Sequence, residues 1–141
     1  MACRVHRARL LAPLTLGALL VACGRDQAVR EQATRVSLAI EALVAAGPHA
    51  KASPLAALAA TTCSVPEVCA ARQACLDAFA PQVQAAERQR EARTLLDRHD
   101  PALTRQIDAM LDEVERLHGQ ASQQQERCLV TTTTLRQTQR L

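Results

Sequence analysis

Aromatic side chains are almost absent from this sequence: Phe79 is the single phenylalanine, and tryptophan and tyrosine do not occur. A domain usually depends on large apolar side chains, which contribute about 25 cal/mol per Å² of buried surface. The chain is instead rich in alanine, which favours helices but buries little area. We therefore expect a thin hydrophobic core that needs additional restraints.

Glycine is also scarce, with 4 residues in 141. The sequence contains no Gly-rich phosphate loop, no G-x-S-x-G motif and no Ser/His/Asp arrangement of the kind that supports nucleophilic catalysis. We therefore predict no enzyme, no catalytic residue, no cofactor and no small-molecule substrate.

A single long apolar run occurs, over residues 10–22, and Arg4, Arg7 and Arg9 precede it. Its 13 residues are too few to cross a bilayer, because a membrane helix needs about 20. A basic segment followed by a short apolar run is typical of a signal peptide. No second apolar run follows, so the sequence predicts no membrane span in the rest of the chain.

The run ends in Leu20-Val21-Ala22-Cys23, which resembles the lipobox of bacterial lipoproteins at all four positions. The resemblance implies that residues 1–22 are removed and that Cys23 becomes the N-terminus of a single domain, 23–141, anchored in membrane lipid. Gly24 stands where aspartate retains lipoproteins at the inner membrane of enteric bacteria, which implies the outer membrane, facing the periplasm. An ordinary secretory signal and a short cytosolic helix are the alternatives.

Charge argues against a nucleic-acid partner. The chain has 17 Lys and Arg against 14 Asp and Glu, but three of those arginines precede residue 23. The rest therefore has 14 of each sign and a formal charge of zero. Binding to a phosphate backbone needs a basic face, so we predict none.

Apolar residues recur at spacings of three and four in four segments, which predicts four helices. They cover about residues 28–46, 54–61, 66–98 and 101–129, and the last has a coiled-coil-like stripe. Apart from the ambiguous residues 130–135, no segment of useful length alternates apolar and polar residues with the period of two that is typical of a strand. The predicted fold is all-α: a small disulfide-stapled helical bundle with a C-terminal antiparallel helical hairpin.

Several local signals mark the helix ends. Gly47-Pro48 predicts a stop with a glycine C-cap, and Ser53 predicts an N-cap. Ser64 with Glu67 resembles a capping box, and Asp100-Pro101 predicts a tight corner and a new helix.

Two stretches are expected to be irregular. Pro81 lies inside the third helical pattern and predicts a kink rather than a break. The four threonines after Leu129 predict fraying.

The side chains that the third helix should bury are Val68, Cys75, Phe79, Val83, Ala86 and Leu96.

Two of the six cysteines, Cys3 and Cys23, belong to the signal peptide and the lipid site. The other four are Cys63, Cys69, Cys75 and Cys128. Thiols in an oxidising exported compartment predict two disulfides, with three alternative pairings. A hairpin about the corner at Asp100-Pro101 places Cys75 opposite Cys128, which pairs Cys63 with Cys69. The C-x5-C-x5-C spacing matches no standard zinc site, and no C-x-x-C redox motif occurs.

One metal-like pattern is present. Glu115-Arg116-Leu117-His118 has the E-x-x-H form found in di-iron bundles, which need two such motifs and further carboxylates. The hairpin register places Arg88 near Glu115, so we predict a solvated ion pair and no metal site. His49 and His99 lie at predicted helix ends, where exposure or capping is expected.

Leu103-Thr104-Arg105-Gln106 and residues 135–140 resemble the LTxxQ signatures of periplasmic Spy and CpxP type chaperones and related heavy-metal sensor proteins. Gln106 comes one residue earlier than in that signature, and the second segment lacks its threonine. Two hypotheses result. The first is a non-enzymatic envelope lipoprotein with a structural or protein-interaction role and an envelope protein partner. The alternative is a periplasmic stress chaperone or metal-sensor-like hairpin protein.

Overall fold

The computed structural model describes the backbone of residues 16–141 and the side chains of residues 26–141. Over this range the chain is an all-α, disulfide-stapled bundle without strands, which confirms the predicted fold class. The helices are α1 (Leu16–Ala45), α2 (Ala52–Ala60), α3 (Pro66–Leu96) and α4 (Thr104–Gln139), and a 3₁₀ turn at Pro101–Leu103 precedes α4. Helix α1 therefore begins upstream of the predicted start at residue 28.

Helices α3 and α4 form the antiparallel hairpin that the sequence predicts, and this pair is the largest packed interface of the fold. The side chains of α4 face α3 at spacings of three, four and seven, because those positions return to the same side of a helix. The buried residues of α4 are Ile107, Met110, Val114, Leu117, Ala121, Cys128, Thr132 and Leu135.

The corner between α3 and α4 combines a left-handed residue with an aspartate cap. His99 adopts the left-handed conformation with φ of 53°. The carboxylate of Asp100 then accepts a hydrogen bond from the backbone N–H of Ala102 at 2.9 Å, so the predicted cap is present. The predicted glycine C-cap at Gly47 is wrong, because no described glycine has a positive φ.

Helices α1 and α2 cover only one half of the hairpin. There the main core contains fully buried side chains from all four helices, including Val36, Leu43, Leu58, Val68, Cys75 and Leu135. The uncovered half has two small clusters. In one Ala85 packs against Val114 and Leu117, and in the other Ala92 packs against Ile107 and Met110. The molecule is thus a four-helix bundle at one end and a two-helix hairpin at the other.

Helix α1 lies antiparallel to α4. Glu41 pairs with Arg136, and Asp26 lies in the same surface hollow as Gln139 near the end of α4. The 36 residues of α4 span about 54 Å at 1.5 Å per residue. The hairpin corner and Asp26 therefore lie at opposite ends of α4.

Two further predicted caps are wrong. Ser53 lies inside α2, which begins at Ala52. Ser64 does not cap α3, where no side-chain cap occurs. Instead its backbone N–H donates to Gln32 Oε1 at 2.8 Å, and Gln32 Nε2 donates to its hydroxyl at 3.0 Å. Ser64 therefore bonds to a distant residue on α1 and not to the backbone N–H groups at the start of α3.

Helix α4 continues to Gln139, so the predicted fraying after Leu129 is wrong. Thr132 and Leu135 are buried and extend the apolar stripe by two positions. Three other threonine hydroxyls donate to carbonyls one turn earlier, which satisfies them within the helix. Burial against α1 and α3 outweighs the low helix propensity of threonine.

Helix α3 runs through Pro81 without a break. Beyond this residue the buried positions are Ala85 and Ala92 rather than those predicted. Three of the expected side chains are only half-buried or exposed: Val83, Ala86 and Leu96. The reason is that the far half of α3 has α4 as its single described helical neighbour, so only one narrow side of the helix is covered.

Candidate functional site

The four cysteines among the described side chains form two disulfides, Cys63–Cys69 and Cys75–Cys128, which are the pairs expected from the hairpin register. Their Cα atoms are 5.5 and 4.6 Å apart. Cys75 is fully buried, and the hydroxyl of Thr132 donates to its Sγ at 3.4 Å, since a disulfide sulfur has no proton to give. This disulfide joins α3 to α4 inside the main core.

The second disulfide holds the connection between α2 and α3. Cys63 lies in that connection and Cys69 in the first turns of α3, and both are half-buried. The guanidinium of Arg72 donates to the carbonyl oxygen of Thr61 at 2.6 Å and so holds the start of the same connection. Both disulfides therefore restrain the fold.

The predicted lipid site lies outside the described side chains: Cys23 is placed by its backbone alone, as part of α1. Within the described part of the chain, no helix contains a stretch long and apolar enough to cross a membrane. The anchor at Cys23 stays a prediction from the sequence.

The ion pair predicted between Arg88 and Glu115 is wrong by half a helical turn. Arg88 Nη1 contacts Glu91 at 3.0 Å and its Nε contacts Glu113 at 3.2 Å. The hydrogen bond to Glu91 and the charges of Glu113 and Glu91 raise the pKa of Arg88 above its usual value. All these side chains are exposed, so the pairs contribute little to stability and suggest no reaction.

The histidines are distributed unevenly. His118 on α4 and His49 in the connection between α1 and α2 line one hollow on the side of the hairpin. Glu115 does not line that hollow, and His99 lies at the distant corner, where its Nδ1 is 2.8 Å from the carbonyl oxygen of Asp97. No group of three or more His, Cys, Asp or Glu side chains among the described residues is arranged around a metal position.

Sequence reasoning did not predict that His49 and His118 line one hollow. No local sequence pattern tells where the connection after α1 crosses the hairpin. The signal that was available is indirect: Gly47-Pro48 marks a turn after α1. Only the packing of α1 on the hairpin brings that turn beside α4.

An apolar groove of about 400 Å³ opens between α1 and α4 on the covered half of the hairpin. Ile40, Phe79 and Cys128 form its floor, and Val44 and Leu129 form its rims. Val44 is 58% exposed and Leu129 is 67% exposed, so both rims present apolar surface to the solvent. The groove has the size of a small binding site.

Together these features define a small disulfide-stapled helical bundle with exposed hollows. No protein-family model, curated protein or solved structure matches this chain.

Proposed function

We propose that this chain is a lipid-anchored envelope lipoprotein, held in the outer membrane through Cys23 and facing the periplasm. Its helical domain has a non-enzymatic role in structure or in binding another envelope protein. The observation that carries this proposal is the sequence Leu20-Val21-Ala22-Cys23 directly after a short apolar run and a basic segment.

The disulfides support export. Two closed disulfides persist in oxidising compartments such as the periplasm and are rare among proteins of the reducing cytosol. The small core supports it too, because the main core contains a single aromatic side chain and a cystine that crosses it. Such a domain benefits from an environment in which the disulfides form.

The shape of the bundle suggests how it is presented. If Cys23 is anchored, the end of the molecule near Asp26 lies at the membrane and the hairpin corner extends away from it. The length of α4 puts about 54 Å between these ends. The two-helix half of the hairpin is then the part that a partner in the periplasm meets first.

The anchor is tested by the intact mass of the membrane-extracted protein, before and after reduction. We expect a diacylated chain that starts at Cys23 and gains about four hydrogens, two for each disulfide. The matched control is Cys23→Ser, which removes the acylated thiol and should give an unlipidated protein. An uncleaved, unlipidated wild-type chain with free thiols would contradict the proposal.

The interaction role is tested by a photo-cross-linking residue placed at Ala102, in the hairpin corner, in whole cells. The control position is Gln123, on the bundle half of α4. We expect a discrete cross-linked product from the corner and a weaker one or none from the control. A membrane-anchored protein that gives no cross-link from either position would contradict a partner at the hairpin.

A second candidate is the stress chaperone, which the apolar groove between α1 and α4 favours. A holdase needs exposed apolar surface to retain an unfolding client. This function predicts that the protein suppresses aggregation of a reduced client protein and that Leu129→Glu reduces the effect. Leu38→Glu is the control, because Leu38 is 59% exposed but lies outside the groove. Equal activity of all three proteins would rule out the groove as the client site.

A further inference from the structure

We propose that His49 and His118 together bind a divalent transition-metal ion of the Cu²⁺ or Zn²⁺ type. The site is the hollow where the connection between α1 and α2 crosses the hairpin, which we call the histidine hollow. Besides the two histidines, Gln82, Gln89 and Ser122 line it with polar groups. Its volume of about 320 Å³ leaves room for an ion with bound water.

The two histidines come from separate elements that are both well fixed. His118 lies in the middle of α4, one residue after the buried Leu117. His49 lies in a short connection that is closed by a hydrogen bond from Ala50 N–H to Gly47 O at 2.9 Å. Lys51 holds its far end, donating from Nζ to Leu43 O at 3.0 Å. The hollow is therefore formed before any ion binds.

The chemistry of the lining selects the class of ion. Neutral imidazole is the most common protein ligand for copper and zinc, whereas calcium and magnesium require carboxylate and carbonyl oxygens. No Asp or Glu lines the histidine hollow, so it offers little to hard cations. Amide and hydroxyl groups of Gln82 and Ser122 can bind the waters that complete the coordination.

The imidazoles are available for coordination. Both residues are exposed, and neither ring makes a hydrogen bond to another group of the described part of the chain. His99 differs, because its Nδ1 lies 2.8 Å from a carbonyl oxygen. Two protein ligands are fewer than the three or four of tight zinc sites, so we expect an exchangeable ion with micromolar affinity.

Metal binding at this position has a structural consequence. It would tie the connection after α1 to the middle of α4, and an ion that binds the folded state alone raises the unfolding temperature. The second histidine binds intramolecularly once the first has bound, so loss of either one should weaken binding by roughly 100-fold. The site does not depend on the lipid anchor or on a protein partner.

The experiment uses the full-length oxidised chain in detergent, with its remaining thiols alkylated. Cu²⁺ is added, binding is measured by calorimetry, and the ligands are identified from nitrogen couplings in the electron paramagnetic resonance spectrum. We expect one ion per chain with two imidazole ligands. Both His49→Ala and His118→Ala should lose this binding, and His99→Ala, the matched control, should keep it.

Two results would overturn the proposal: equal binding by all three variants, or a wild-type spectrum with one imidazole or none. Zn²⁺ provides a second measurement, because it should raise the unfolding temperature of wild type and His99→Ala but not of the other two variants. If either alanine variant fails to fold, His49→Gln and His118→Gln replace it, and two-imidazole binding retained by these variants would overturn the proposal.

Discussion

A buried serine on α1 has no partner for its hydroxyl. Ser37 is 5% exposed, and its Oγ has no hydrogen-bond partner in the described part of the chain. A buried polar group without a partner costs more free energy than a satisfied one gains, because it has lost its bonds to water. In a core this small, one such group is a substantial defect.

We therefore expect Ser37→Ala to increase the free energy of unfolding by about 1 kcal/mol. The measurement is urea denaturation of the oxidised protein. Ser122→Ala is the control, since Ser122 is exposed and its hydroxyl donates to His118 O at 3.0 Å. Both changes gain the same helix propensity, so an equal effect of the two would contradict the role of burial.

The single lysine and the single aromatic residue of the chain lie together. Lys51 Nζ is 4.8 Å from the centre of the Phe79 ring and also donates to the carbonyl oxygen of Leu43, near the end of α1. One side chain thus satisfies a helix-terminal carbonyl and contacts the face of the ring.

Lys51→Ala is expected to lower the free energy of unfolding by about 1 to 2 kcal/mol, because it removes the cation–π contact and the hydrogen bond. Thermal unfolding followed by circular dichroism measures the loss. Lys51→Arg keeps a cation and a donor at this position and should recover most of the stability. No recovery with arginine would show that packing of the lysine stem matters more than its charge.

At the scale of the element, the C-terminal turns of α4 belong to the core. Leu135 is 2% exposed, whereas Leu129, on the same helix, is 67% exposed. Thr132, between them, is buried against Cys75. The pattern predicts that these turns are held by packing and not by their own helix propensity.

Truncation of the two leucines should therefore have very different effects. We expect Leu135→Ala to cost about 2 to 4 kcal/mol of stability through the cavity it leaves. Leu129→Ala should change stability by no more than about 0.5 kcal/mol, as exposed substitutions do. Equal losses in urea denaturation would mean that the last turns of α4 fray in solution.

For the whole molecule, the two disulfides differ in the length of chain that they close. Cys75 and Cys128 are 53 residues apart, and Cys63 and Cys69 are 6 apart. A longer closed loop removes more conformational entropy from the unfolded chain. The long-range disulfide also joins the two helices that carry most of the fold.

Replacing Cys75 and Cys128 by alanine should lower the free energy of unfolding by about 4 kcal/mol, and replacing Cys63 and Cys69 by about 2 kcal/mol. The double variants are compared with the oxidised wild type in urea. Helical content at zero denaturant shows whether the first variant still folds. A larger loss from the short-range pair would mean that the connection between α2 and α3 is what limits folding.

Most of the fold could be predicted because its determinants are periodic or local. The apolar positions from Ile107 to Cys128 all lie on one side of α4. The corner at Asp100-Pro101 sets which residues of α3 and α4 meet. Together they predicted the hairpin and, through its register, the pairing of Cys75 with Cys128. The partner of Arg88 is Glu113 rather than Glu115, and the hairpin register by itself does not distinguish these two positions on either side of the buried Val114.

The sequence alone determined the helical class, the hairpin and the disulfide pairs, because each depends on periodicity or on a single corner. The lipid site at Cys23 stays a prediction from a local motif. The tertiary structure decided what depends on distant surfaces meeting. Ser64 binds Gln32 instead of capping its own helix, α4 continues through its threonines, and His49 lines one hollow with His118. The physical reason is the same in each case: burial and long-range hydrogen bonds outweigh local preferences of a fraction of a kcal/mol.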